Sequence, residues 1–158
     1  MSRYDLAGSL IPALVKYLQE TRGDVLELGI GYNSTPLLHW ICKNMGRNLV
    51  SLESDEKWTE QFNDYRSNKH QISTIKDWSK AEIDKNWGLV LVDNRPATSR
   101  RDLAKRLRNL ADVILVHDSE PEINTYYGYE RIYPLFKYRK DYTKFRPYTT
   151  VLSNFRRL

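Results

Sequence analysis

Two groups of residues in this chain have types and spacing suited to chemistry. The first is Glu27-Leu28-Gly29-Ile30-Gly31-Tyr32-Asn33-Ser34-Thr35, followed a little over twenty residues beyond Gly31 by Glu53 and Ser54. Glycines let the backbone approach a ligand closely and take up positive φ. Free N–H groups at the start of a following helix, with the Ser34 and Thr35 hydroxyls, can meet polar ligand groups. A carboxylate at Glu53 can accept both hydroxyl protons of a ribose. The second group is Asp93-Asn94-Arg95-Pro96 together with His117-Asp118-Ser119-Glu120. Asp93, His117, Asp118 and Glu120 are groups that can take a proton from an acceptor hydroxyl, and histidine has the ordinary pKa best suited to that work.

Charge narrows the ligand. A dinucleotide site expects G-x-G-x-x-G, and the third glycine position here is Ser34. Glu27 precedes the first glycine, where its carboxylate would repel a diphosphate and attract a cationic amino group. A sulfonium amino-acid ligand is therefore expected before NAD.

These residues need elements to position them. Leu10, Ala13, Leu14, Tyr17 and Leu18 fall at helical spacing, which predicts a helix from about Leu6 to Glu20. Strands are predicted at Asp24 to Leu28, Asn48 to Leu52, Gln71 to Ile75, Leu89 to Val92 and Ala111 to Val116. Helices are predicted from Ser34 to Asn44, Asp55 to Tyr65 and Ser99 to Leu110. The segment from Pro121 to Leu135 reads as irregular with a short helix near Tyr129. The tail reads as two strands around Lys144 to Pro147.

Alternating strands and helices imply crossover connections and a mainly parallel sheet. The expected fold is α/β, a Rossmann-like three-layer sandwich with a C-terminal antiparallel hairpin, spanning 1–158 as one domain. Ligands of such open sheets bind at the carboxyl ends of the strands. Those ends carry Glu27 to Gly31, Glu53, Asp77, Asp93 and His117-Asp118.

Glu27-Leu28-Gly29-Ile30-Gly31 resembles motif I of class I S-adenosylmethionine-dependent methyltransferases. Glu53 resembles their ribose-binding acid, Asp77-Trp78 their adenine-binding pair, and Asp93 the acid after the fourth strand. The resemblance implies S-adenosyl-L-methionine as cofactor, held by Glu27, Gly29, Gly31, Ser34, Thr35, Glu53, Ser54, Asp77, Trp78 and Asp93. It implies methyl transfer at Asp93, His117 and Asp118. The loop before the fifth strand departs from the family, with Asn109-Leu110-Ala111-Asp112 where a proline–glycine pair is usual.

Subclasses can be weighed. Enzymes acting on planar nitrogens carry an Asn/Asp-Pro-Pro-aromatic motif where this chain has Asp93-Asn94-Arg95-Pro96. The Lys-Asp-Lys-Glu tetrad of ribose 2′-hydroxyl enzymes is incomplete: Lys16 and Asp93 can begin it, but no glutamate follows Glu130. Catechol-type enzymes hold magnesium with two aspartates and an asparagine. Asp93 and Asp118 fit, but Ser119 stands at the third position, and no metal is assigned. The expected reaction is methyl transfer to an oxygen of a small molecule or sugar. The alternatives are an RNA or protein methyltransferase and a non-catalytic cofactor-binding subunit.

The single cysteine, Cys42, forms no intramolecular disulfide and reads as a core residue. With no signal peptide and no run of about 20 apolar residues, a cytoplasmic protein without a membrane partner is expected. The net charge of +5 gathers between Arg100 and Arg108 and again from Lys137 to Arg157. That charge permits a nucleic-acid partner, though a solvated face is the preferred explanation. Seven of the eleven tyrosines lie in the last third. Tyr138 and Tyr142 read as packing in an edge hairpin, while Tyr126 and Tyr127 are open to an acceptor role.

Overall fold

A computed structural model describes residues 7–158. The helical start expected at Leu6 lies outside the described residues. Helix α1 (Leu10–Glu20) leads to β1 (Val25–Leu28), α2 (Thr35–Asn44) and β2 (Leu49–Glu53). Then come α3 (Glu56–Glu60), β3 (His70–Thr74), β4 (Trp87–Val92), α4 (Ala97–Leu107) and β5 (Ala111–His117). A short α5 (Asn124–Tyr127) lies among single 3-10 turns, and β6 (Tyr138–Tyr142) and β7 (Thr149–Ser153) complete the chain.

The seven strands form one sheet in the order β3-β2-β1-β4-β5-β7-β6. Strands β1 to β5 run parallel, and β7 and β6 are antiparallel additions beside β5. The central strands are covered on both faces, so their side chains alternate between two cores. Val25, Leu89, Leu91, Val113 and Leu115 face α1 and α2. Leu26, Leu28, Val90, Val92, Ile114 and Val116 face α4, through Leu103, Ala104 and Leu107. This is the expected α/β Rossmann-like three-layer arrangement with its antiparallel C-terminal hairpin.

Register brings the chemistry together. Leu28 is level with Leu52 on β2 and with Val92 on β4, and Val92 is level with Val116 on β5. One residue further along, Gly29, Glu53, Asp93 and His117 therefore emerge at the same end of the sheet. Gly29 and Asp93, 64 positions apart in sequence, become neighbours because four parallel strands stop in step.

The helix expected from Asp55 to Tyr65 is shorter. Asp55 caps it by accepting from the Trp58 N–H at 3.1 Å. At its far end Gln61 N–H bonds Trp58 O and Phe62 N–H bonds Thr59 O. These i→i−3 bonds tighten the last turn. The Trp58 and Phe62 rings are thereby brought together, with centroids 5.5 Å apart.

Candidate functional site

A cleft of about 1290 Å³ opens over the aligned strand ends. Its walls include Ile30, Gly31 and Ser34 from the first turn, and Glu53, Ser54 and Trp58 after β2. Asp93, Arg95 and Pro96 come from the end of β4, and Arg100 from α4. His117, Asp118, Glu120 and Tyr127 close the far side.

The first turn is built by one glycine and one buried acid. Gly29 has φ 94°, and a Cβ there would stand 2.5 Å from the carbonyl oxygen of Asp93. Only glycine lets the turn cross so close to the end of β4. Glu27 is fully buried beneath the turn. It accepts from Ser34 Oγ at 2.6 Å, Thr35 Oγ1 at 2.9 Å and Ser51 Oγ at 2.6 Å. Burial pushes its pKa up to about 7, against the opposing pull of those three hydroxyls. Behind Ser51 stands His70, with Nε2 2.9 Å from the hydroxyl, and His39 Nδ1 lies 3.0 Å from His70 Nδ1.

Glu53 is held differently. It is 7% exposed and borders the cleft. Its Oε1 accepts from Ser54 N–H, Ser54 Oγ and Asp55 N–H, and its Oε2 accepts from Ile30 N–H at 3.1 Å. A carboxylate oxygen offers two lone pairs, and Ile30 N–H uses one of those on Oε2. The backbone of two loops thus fixes the carboxylate at the edge of the cleft.

The opposite wall is organised by Arg100, which the sequence reading treated as part of a solvated basic helix. Its side chain is only 6% exposed. Nε donates to Asn94 O at 2.7 Å. Nη1 donates to His117 O at 3.3 Å and Asp118 Oδ2 at 3.0 Å. Nη2 donates to Asp93 O at 3.1 Å and Asp93 Oδ1 at 2.9 Å. All five guanidinium N–H groups are used. Burial opposes its charge, but Asp93 and Asp118 outweigh burial and raise its pKa. The sequence held a signal for this role. Arg100 shares one helical face with Leu103, Ala104 and Leu107, all buried, and an arginine in the apolar phase needs internal acceptors.

Asp93 has its pKa raised by desolvation, which exceeds the lowering by His117 and Arg100. Asp118 sits at φ 55°, the left-handed region, which costs energy for a residue with a Cβ and which aspartate tolerates better than most. That conformation turns the chain at the end of β5 while its carboxylate reaches back to Arg100. Tyr127 OH also donates to Asp118 Oδ2, at 3.2 Å. His117 is buried, with Nδ1 3.2 Å from Thr149 Oγ1 and Nε2 3.8 Å from Asp118 Oδ1. Ligand atoms of Asp93, His117 and Asp118 lie within 4.8 Å of one another. Arg100 pairs with both of these carboxylates.

The cleft therefore gathers Gly31, Ser34, Glu53, Ser54, Asp93, His117 and Asp118 from the residues singled out in the sequence. It does not bring Glu27, Gly29, Thr35, Asp77 or Trp78 to its walls. Glu27 and Thr35 are turned inward onto each other, so the charge of Glu27 reaches a ligand only at a distance. The Ser34 hydroxyl also serves Glu27. Gly29 packs on the backbone of Asp93. Asp77 caps a 3-10 turn through Ser79 N–H and Oγ. Trp78 is a core residue whose Nε1 donates to Arg95 O at 2.7 Å, so it shapes the floor from behind. Lys16 pairs with Glu20 on α1 instead of joining Asp93. Trp58, not singled out in the sequence, does border the cleft, and its Nε1 donates to Ile30 O at 2.7 Å.

No family model matches the sequence, and no curated protein matches it. Solved structures do share the fold. A human methyltransferase 10 domain containing protein superposes with TM-score 0.57 at 9% identity, covering 92% of this chain and 84% of its own. The 23S rRNA methyltransferase ErmE gives 0.55 at 14% identity, covering 90% and 68%. A methyltransferase-like protein from Thermoplasma acidophilum gives 0.52 at 11%, covering 85% and 71%. The chain has the Rossmann-like fold of class I methyltransferases.

Proposed function

We propose that this chain binds S-adenosylmethionine in the strand-end cleft and transfers its methyl group to an oxygen of a small molecule or sugar. The observation that carries this reading is Glu53, a carboxylate on the cleft wall pinned by backbone N–H groups from two loops beside Gly31. A diol donor suits that site. The cleft is also rich in acids, with six carboxylate side chains and three arginines on its described walls. A cationic ligand suits such walls better than a diphosphate does.

Glu53 would hold the ribose, and Gly31 and Ser34 the methionyl end. Trp58 offers the adenine an aromatic surface in place of Trp78. When bound, the cofactor supplies a methyl carbon on a sulfonium sulfur: the acceptor oxygen bonds to that carbon, the carbon–sulfur bond breaks with its electron pair kept by sulfur, and the hydroxyl proton is released to a base. His117 and Asp93 are the bases at hand. Arg100 holds Asp93 and the ends of β4 and β5 at fixed separation, so alignment costs little at the moment of reaction. No helix among the described residues is long and apolar enough to cross a membrane.

A second reading is methylation of RNA, favoured by the fold shared with the 23S rRNA methyltransferase ErmE and by the basic segments of this chain. Labelled S-adenosylmethionine offered with panels of hydroxylated metabolites, RNA and protein separates the two. Label in a metabolite supports the first reading, and label confined to RNA replaces it with the second. Label in none of them, with the cofactor bound, leaves a non-catalytic binding subunit.

A further inference from the structure

The carboxylates around the cleft are not equivalent. Asp93 and Asp118 share Arg100, Glu122 pairs with Arg146, and Glu53 is held by backbone N–H groups. Asp55 caps α3. Glu120 differs from all of these. It borders the same cleft, is only 7% exposed, and its Oε2 is buried without a hydrogen-bond partner among the described residues. Leaving a carboxylate oxygen desolvated and unpaired is costly, and the cost is removed when a donor, best a cationic one, arrives.

Placement says which ligand that donor belongs to. Glu120 lies two residues beyond Asp118, on the β5 side of the cleft, with Tyr127 on the same wall. Glu53 and Trp58, which the cofactor reading assigns to ribose and adenine, stand on the β2 side. We infer that Glu120 is the anchor of the acceptor, and that it receives a protonated amine carried beside the hydroxyl that is methylated. The acceptor class is then an amino sugar or amino alcohol. The ammonium group satisfies Oε2 of Glu120, while Tyr127, its ring already packed by Arg100 and by Tyr129, forms part of the cleft wall. The amine is held as its ammonium form by Glu120 and so is not the nucleophile. The neighbouring hydroxyl is left to react, giving up its proton to His117 or Asp93.

This inference rests on the cofactor reading, and the test separates the two. The full chain, labelled with nitrogen-15, is first titrated with S-adenosylhomocysteine, then with D-glucosamine against D-glucose and ethanolamine against ethylene glycol. Amide shifts of residues 117–120, 122 and 123 report binding. Each amine is expected to bind about tenfold or more tighter than its hydroxyl counterpart, the scale of a hydrogen bond to a charged group. Glu120→Gln should abolish that preference while S-adenosylhomocysteine binds as before. Equal binding within both pairs, shifts that avoid 117–123, or a preference that survives Glu120→Gln overturns the assignment. The wild-type comparison decides the matter even if the variant fails to fold. Failure of the first titration overturns the cofactor reading and this inference with it, whereas its success with no amine preference overturns this inference alone.

Discussion

Arg100 donates through Nη1 to Asp118 Oδ2 at 3.0 Å, and this contact ties a left-handed residue at the end of β5 to helix α4. The same guanidinium spans to Asp93 and to three backbone carbonyls at the ends of β4 and β5. It is the internal cation around which the far wall of the cleft is arranged.

Replacing Arg100 by alanine should therefore cost about 3 kcal/mol or more of stability, because it leaves buried acceptors on two strands unpaired. Arg100→Lys should recover only part of this, since an ammonium cannot serve five acceptors in a planar fork. Urea unfolding checks both variants. A midpoint shift below that of an ordinary surface substitution would show that the clamp is dispensable.

Asp77 and Trp58 make opposite forecasts. Asp77→Ala should leave S-adenosylmethionine affinity unchanged, because Asp77 caps a turn outside the cleft. Trp58→Ala should weaken it by roughly 1–3 kcal/mol, the worth of a base stacked on an aromatic ring. Calorimetry on both, with melting temperatures as controls, decides. The reverse ranking would restore the adenine role to the segment after β3.

His117→Ala should keep cofactor affinity near wild type, lower the melting temperature because it empties a buried site, and lower turnover on the true acceptor about 100-fold or more, the lower scale of general-base loss. Asp118→Asn should lower both turnover and stability, because it also weakens the contact with Arg100. Wild-type turnover in both variants would remove the strand-end base from the mechanism.

Glu27 makes stability depend on pH. Its folded pKa of about 7 lies above the ordinary 4.5, so between those values the folded state holds more protons than the unfolded one. Its contribution is present in full below about pH 4.5 and is lost as pH rises through about 7. His70, pushed down to about 4 by burial and by His39, works in the opposite sense between about 4 and 6.5. The difference between wild type and Glu27→Gln isolates the first effect. The variant should gain stability relative to wild type as pH rises from 5 to 8, read as melting temperature. A flat difference would mean that Glu27 keeps its ordinary pKa.

Most of the fold was legible in the sequence. Continuous apolar runs such as Leu89 to Val92 read directly as strands covered on both faces, and the polar residues that end them located the cleft. Glu53, Asp93, His117 and Asp118 fall there because register, once the sheet is parallel, leaves them no other place. What was not legible is where a side chain turns after its strand ends. Glu27 and Thr35 have the residue types of a ligand site, yet hydroxyls from the turn and from β2 seal them inside. Trp78 follows β3 as an adenine-binding residue would, yet packs into the core against the β4 side. Arg100 was hidden by the charge of its neighbours, since Arg101, Lys105 and Arg108 make the whole helix look solvated. Its phase with Leu103 and Leu107 was the available clue.

Calorimetric titration of S-adenosylmethionine into the wild type and into Glu53→Ala tests the cofactor site most directly. The wild type should bind at one site with micromolar-range affinity. Glu53→Ala should bind more weakly by roughly 1–3 kcal/mol, the scale of a hydrogen bond to a charged group, while remaining folded. No heat with S-adenosylmethionine or S-adenosylhomocysteine alongside tight NAD binding, or an affinity unchanged by Glu53→Ala, would contradict the assignment.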